Sequence, residues 1–189
     1  MRVLSEDKPR LRNHLLEKRD SLSYDFMTIA SKQIQKNLKK VEAFRNAKTV
    51  ACYYSIGSEV RTFDIIQQLI SEGKTVTLPK ITDGSLVFCA VKGFEELQKG
   101  EYGIMEPKNN CPVVESFDVI LIPAIAMTRT GQRLGYGKGY YDKFLAKQSA
   151  PTIALEYSRQ VVRNIPKSEG DIQIQWIVTE DEAIRASVQ

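Results

Sequence analysis

The stretch VILI at residues 119–122, closed by Pro123, precedes the glycine-rich run GQRLGYGKGYYDKF at residues 131–144. Four apolar residues in a row, with no polar alternation, predict a strand buried on both faces. Such strands sit at the centre of mostly parallel sheets with helices above and below. In those sheets ligands bind beyond the carboxyl ends of the strands, and the glycine-rich run follows one such end.

Upstream, residues 8–22 read as a helix. Pro9 falls in its first turn, where a missing N–H costs nothing, and Leu11, Leu15 and Leu22 lie on related turns. Residues 24–41 read as a second helix, N-capped by Ser23, with Phe26, Ile29, Ile34, Leu38 and Val41 on its apolar face. Residues 49–54 (TVACYY) read as a strand and 56–61 as a loop. Thr62 is placed to cap a helix carrying Phe63, Ile65, Ile66, Leu69 and Ile70, which Gly73 ends. Strands follow at 75–78, stopped by Pro79, and at 86–91, entered through an Asp83-Gly84 turn. Residues 140–147 read as a helix, and 152–155 and 174–178 as the last strands. This alternation predicts an α/β fold of three layers: an open, mostly parallel, Rossmann-like sheet with helices on both faces. No repeat or long linker divides the sequence, so residues 1–189 are expected to form a single domain.

Hydrophobic residues make up 42% and charged residues 26% of the chain, which excludes disorder and coiled coil. The net charge of +4 is spread out. Its densest run, Lys36, Lys39 and Lys40, is diluted by Asn37 and Leu38 and reads as a solvated helix end, so no nucleic-acid partner is expected. A mild positive excess still favours anionic small molecules. Cys52, Cys89 and Cys111 lack CxxC spacing, and Cys52 and Cys89 lie in apolar runs that predict core positions. Residues 1–12 are charged, and no stretch approaches the roughly 18 apolar residues of a membrane span. A cytoplasmic monomer with reduced thiols and no membrane partner is therefore expected. The single histidine, His14, excludes a multi-histidine zinc site.

The chemistry concentrates in the glycine-rich run. Gly131, Gly135, Gly137 and Gly139 let backbone N–H groups turn toward an anion, with Arg133 and Lys138 beside them and a helix N-terminus after them. That pattern predicts a phosphate cradle, and Asp142 is placed to hold Mg²⁺ against the phosphates. Lys138 is followed by Gly139 rather than Ser or Thr, which excludes a Walker A loop. Gly135 and Gly137 fit the first half of a dinucleotide fingerprint, but Tyr140 holds the third glycine position. Glu156, at a strand end about 20 residues on, keeps that alternative open.

Gly131-Gln132-Arg133-Leu134-Gly135-Tyr136-Gly137-Lys138-Gly139-Tyr140-Tyr141-Asp142 closely resembles the signature of the 5-formyltetrahydrofolate cyclo-ligase family, a G-x-RLG-x-G-x-G-aromatic-Tyr-Asp run after an apolar strand and a proline. The resemblance extends to other sites. Lys8 and Arg12 match a Lys-x-x-x-Arg helix, Tyr54 to Val60 (YSIGSEV) a loop ending in Glu-Val, and Gly100 to Pro107 a Gly-x-x-Gly-Ile-x-Glu-Pro segment. Gln160, Pro166, Asp171 and Val178-Thr179-Glu180 fill the remaining places, so the likeness spans about residues 8–180. Departures fall at Thr128 and Gln175, where the family usually has aspartates, and at Gly170, where it often has histidine.

The resemblance implies an enzyme that uses Mg-ATP to close 5-formyltetrahydrofolate into 5,10-methenyltetrahydrofolate. It implies Arg133 and Lys138 as catalytic cations. Lys8, Arg12, Arg133, Leu134, Gly135, Tyr136, Gly137, Lys138, Gly139, Tyr140 and Tyr141 would bind ATP. Tyr54 and Glu59, with residues 136–140, would bind the folate, and Asp142 and Asp171 would bind Mg²⁺. Two other readings stay open: a diverged ATP-using relative acting on another folate or amide, and a binding module without turnover.

Overall fold

The computed structural model describes residues 8–100 and 103–187. Residues 1–7 of the charged N-terminal stretch, both ends of the expected 1–189 domain and the two middle positions of the Gly-x-x-Gly match lie outside the described residues. The helices are α1 (Lys8–Asp20), α2 (Tyr24–Leu38), α3 (Glu42–Asn46), α4 (Phe63–Ser71) and α5 (Tyr140–Leu145). The strands are β1 (Thr49–Ala51), β2 (Thr75–Thr82), β3 (Ser85–Val91), β4 (Leu97–Lys99), β5 (Met105–Pro107), β6 (Val113–Val114), β7 (Val119–Pro123), β8 (Ala126–Thr128), β9 (Arg133–Leu134), β10 (Thr152–Leu155), β11 (Val161–Val162), β12 (Trp176–Val178) and β13 (Ala183–Arg185).

Eight strands form the main sheet in the order β13-β12-β10-β7-β1-β2-β3-β6. The five from β12 to β2 run parallel, and β13, β3 and β6 are antiparallel additions at the two sides. β7 is buried along its whole length, as the VILI run predicts. Its side chains alternate between two cores. Val119 and Leu121 pack with Ile34 and Leu38 of α2 and Ile66 and Leu69 of α4, whereas Ile120 and Ile122 pack with Leu145 of α5. Helices therefore cover both faces, the expected three layers. A third cluster joins Leu11 and Leu15 of α1 to Ile125 and to Ala126 and Leu134 of the small β11-β8-β9 sheet.

Several local readings hold for the expected reasons. Ser23 accepts the Phe26 N–H at 3.2 Å as the α2 cap. Gly73 takes φ +73° just past α4, and Asp83 and Gly84, with φ of 50° and 71°, make the two-residue hairpin between β2 and β3. Cys52 and Cys89 are buried, and burial pushes the Cys52 thiol up to about 12. His14 is exposed on α1.

Other readings are corrected. The second helix stops at Leu38, because Val41 is extended and starts α3. Ile29 is 69% exposed. At about 100° per residue it lies roughly 140° around the helix from Ile34, off the buried stripe. The first strand ends at Ala51 rather than residue 54, and the strand expected from residue 174 begins at Trp176. Helix α5 ends at Leu145.

Pro79 does not stop β2, which runs on to Thr82. Pairing with β1 ends at Thr77, so past it a residue without an N–H interrupts no ladder on that side. Thr62 gives α4 no side-chain cap; its hydroxyl donates to Tyr53 O at 2.7 Å and accepts the Ser55 N–H, bracing the turn after β1. The glycine-rich run opens as a strand, since Arg133 and Leu134 pair with Met127 and Ala126 of β8. Gly131 belongs to that framework: with φ +86°, a Cβ there would strike the Ile174 carbonyl.

Leu121→Ala should lower unfolding free energy by about 2–5 kcal/mol, because it opens a cavity in a close-packed core. Ile29→Gln should change it by less than about 0.5 kcal/mol. Urea unfolding midpoints with unchanged m-values check both.

Candidate active site

The chain leaves β1 for α4 and β2 in one direction across the sheet, and leaves β7 for α5, β10 and β12 in the other. A crevice must open where the direction reverses, beyond Ala51 and Pro123, and this is where α/β sheets place ligands. A cavity of about 970 Å³ lies there. Every residue to which the resemblance gives a catalytic, nucleotide, folate or metal role lines it: Lys8 and Arg12 of α1, Tyr54 and Glu59 after β1, Arg133 to Asp142, and Asp171; Gly131, read as part of the anion cradle, does not. The far part of β2 (Pro79, Lys80, Ile81) and Glu106 complete the wall. Of the departures, only Gly170 reaches the cavity. Thr128 is buried in β8, where its hydroxyl accepts the Gln132 N–H to close the β8–β9 turn, and Gln175 is exposed beside β12.

One side of the cavity is cationic and backbone-rich. The Arg133 guanidinium reaches Asp142 through Nη2 at 3.0 and 3.1 Å, and Nη1 donates to Pro123 O at 3.3 Å. Its buried Nε–H has no partner among the described residues. Arg12 Nε donates to Gly135 O at 2.7 Å. Gly137, at φ +91°, lets that guanidinium lie close: a Cβ there would be 3.1 Å from Arg12 Cζ. Lys8 pairs with Asp171, tying the start of α1 to the loop before β12, and Asp171 also accepts the Ser168 N–H at 2.7 Å. Asp142 and Asp171, the carboxylates expected to hold a cation, are each paired with a basic residue. Among the described residues no cluster of three or more His, Cys, Asp or Glu side chains forms a closed metal cage.

The other side is an acceptor set among aromatic rings. Glu59 is 4% exposed. Its Oε2 accepts the Ile56 N–H at 2.9 Å and its Oε1 the Tyr136 hydroxyl at 2.6 Å. Burial raises the Glu59 pKa, while Tyr136, the Ile56 N–H and Arg19 pull it back. Tyr136 is pushed up by burial and by Glu59, and Tyr141 likewise, with Arg133 opposing. Tyr54 packs edge-on to Phe94, with ring centroids 6.2 Å apart.

Two buried charged residues behind this wall were not assigned to it from the sequence. Arg19 is 2% exposed and falls four residues beyond Leu15 on the buried stripe of α1, a spacing that could have marked it. Glu156 is 1% exposed and does not line the cavity, so it offers no ribose contact of the dinucleotide kind. Burial pushes its carboxyl up to about 8, against the pull of Arg19, and its Oε2 has no partner among the described residues. An acid placed directly after a wholly buried strand was its sequence signal.

Comparison with known proteins agrees with this architecture. The model of the 5-formyltetrahydrofolate cyclo-ligase family matches residues 4–180. A 5-formyltetrahydrofolate cyclo-ligase of Saccharomyces cerevisiae is 30% identical, over 94% of this chain and 97% of its own. The solved 5,10-methenyltetrahydrofolate synthetase of Aquifex aeolicus is 33% identical, with a TM-score of 0.86 over 96% of this chain and 94% of that one. The Mycoplasma pneumoniae synthetase, at 24% identity and a TM-score of 0.75, shares the fold over 92% of this chain. With the match covering nearly its whole length, the chain belongs to the 5-formyltetrahydrofolate cyclo-ligase family.

Proposed function

We propose that the chain converts 5-formyltetrahydrofolate to 5,10-methenyltetrahydrofolate with Mg-ATP, releasing ADP and phosphate. The observation that carries this reading is the division of one cavity between a cationic glycine loop and a buried carboxylate acceptor flanked by tyrosines. The first suits a triphosphate, and the second suits a pterin edge that presents N–H donors. The departures at Thr128 and Gln175 lie outside the cavity, so neither favours a different substrate.

The reaction needs activation because a formamide is a poor electrophile: its nitrogen lone pair is delocalised into the carbonyl. The formyl oxygen attacks the γ-phosphorus, and the bond to the β-phosphate oxygen breaks with loss of ADP. The oxygen is now part of a leaving group. N10 then forms the new C–N bond, phosphate departs with the C–O electron pair, and the N10 proton is lost. Such a sequence asks the protein for alignment and charge neutralisation more than for covalent chemistry.

Arg133 and Lys138 neutralise charge on the transferring phosphoryl group, and the backbone at Gly135, Gly137 and Gly139 leaves room for phosphate oxygens. Lys8 and Arg12 close over the nucleotide from α1. Tyr54 and Tyr136 border the pterin, and Glu59 accepts from it. Asp142 and Asp171 would hold Mg²⁺, since carboxylate oxygens are hard donors suited to that ion. When bound, Mg²⁺ withdraws charge from the phosphate oxygens. Arg133 and Lys8 are the carboxylates' partners in the free protein and would be available to phosphate oxygens when the carboxylates hold the ion.

Absorbance of the conjugated methenyl product should rise only when 5-formyltetrahydrofolate, ATP and Mg²⁺ are all present. A flat trace from folded protein, beside an active control enzyme, would refute the reading. Lys138→Ala should lower kcat by about 10²- to 10³-fold with the far-UV spectrum unchanged. Asp142→Ala should raise the Mg²⁺ concentration needed for half-maximal rate. Wild-type kinetics in both variants would remove the phosphate role from this loop.

A further inference from the structure

Arg19 touches no part of the cavity surface, yet its side chain joins three of the segments that build it. Nε donates to Ser58 Oγ at 3.0 Å in the loop after β1. Nη1 donates to Ala124 O at 2.7 Å, just past β7. Nη2 donates to Tyr136 Oη at 2.6 Å in the glycine-rich run. Ser58 in turn donates to Asp20, so the end of α1 grips that loop twice.

The directions of these bonds follow from the donor inventory. A guanidinium only donates, and an ionised carboxylate only accepts. With Arg19 donating into the Tyr136 oxygen, the tyrosine's own proton is directed to Glu59 Oε1. Glu59 Oε2 is fixed by the Ile56 N–H, so both oxygens are oriented and each keeps a further acceptor position. A buried carboxylate ordinarily neutralises itself by taking up a proton. Here one buried cation stands a single hydroxyl away from it.

We propose that Arg19 is a positioning residue for the folate side of the cavity: acting through the Tyr136 hydroxyl, it holds Glu59 as an oriented anionic acceptor. The role of Glu59 as the pterin contact rests on the function proposed above; the control of Glu59 by Arg19 does not. The charged and titratable groups facing Glu59 are Arg19 from α1, Tyr136 from the glycine-rich run, Tyr141 from α5, Tyr53 after β1 and Glu156 after β10. Glu156 competes for the same cation. Arg19 makes hydrogen bonds toward Glu59 through Tyr136, whereas Glu156 Oε2 has no partner among the described residues and burial pushes its carboxyl up to about 8.

The test is a ¹³C NMR titration of glutamate side-chain carboxyls in ligand-free protein, with signals assigned from Glu59→Gln and Glu156→Gln. Arg19→Gln removes the buried positive charge, and Tyr136→Phe removes only the relay hydroxyl. Both should move Glu59 ionisation to higher pH, and Arg19→Lys should restore part of the shift. Tyr136→Phe keeps the test available if Arg19→Gln does not fold. Calorimetry should show 5-formyltetrahydrofolate binding weakened about 10- to 100-fold in either variant, with Mg-ATP binding changed less than about twofold. The Arg19→Gln effect should vanish in a Glu59→Gln background. Unmoved Glu59 titration in both variants, or equal weakening of both ligands, would overturn the proposal. Wild-type folate binding by Glu59→Gln would instead sink the pterin role of Glu59, while the titration still decides the role of Arg19.

Discussion

β7 has no face turned to water, and that condition propagates through the molecule. Its backbone groups must be met by strands on both sides, which β1 and β10 supply, and its side chains by helices above and below. A chain that meets both demands winds outward from the centre in two directions. The winding leaves a crevice between the ends of β1 and β7 that neither crossover can fill. Tyr53 to Glu59 hang from one strand end; Ala124 and, through β8 and β9, the glycine-rich run hang from the other. The cavity is thus the place where a fully buried strand stops being buried.

The ion pairs and the Arg19 relay around that opening follow a common rule. A charge near a low-dielectric wall is tolerated when it is partnered. Arg133 has Asp142, Lys8 has Asp171, and Arg19 reaches Glu59 through Tyr136. The first two pairs join groups that face the cavity, so each charge there is partnered in the free protein. The third joins Arg19, which does not reach the cavity, to Tyr136 and Glu59, which do.

The features legible in the sequence are those written in contiguous residues. The VILI run announced a central strand, and Ser23, Gly73 and Asp83-Gly84 announced a cap and two turns, because each depends on chemistry within a few positions. The cavity residues were legible through a motif shared at separated places. What escaped depends on partners distant in sequence. β8, β9, β11 and β13 are two or three residues long, too short to display a period, and exist because each has a neighbour to pair with. Pro79 reads as a stop until one sees that β1 has already left its side. Arg19 on an otherwise leucine-marked stripe reads as a solvated helix end unless Ser58, Ala124 and Tyr136 are known to surround it. Ile29 was a matter of angle, settled by which face of α2 meets the sheet.

The lateral ends of the main sheet carry a further consequence. β6 has two residues and follows Pro112, and β13 has three, closing with Arg185. An exposed edge is a template for another chain only if it offers a run of unpaired backbone groups. Edges this short, one beside a proline and the other bearing a cation, present too few rungs for a second sheet to zip on. Each short outer strand thus shields only the rungs it pairs with, Phe88 and Cys89 of β3 on one side and Trp176 to Val178 of β12 on the other, without offering a long edge of its own.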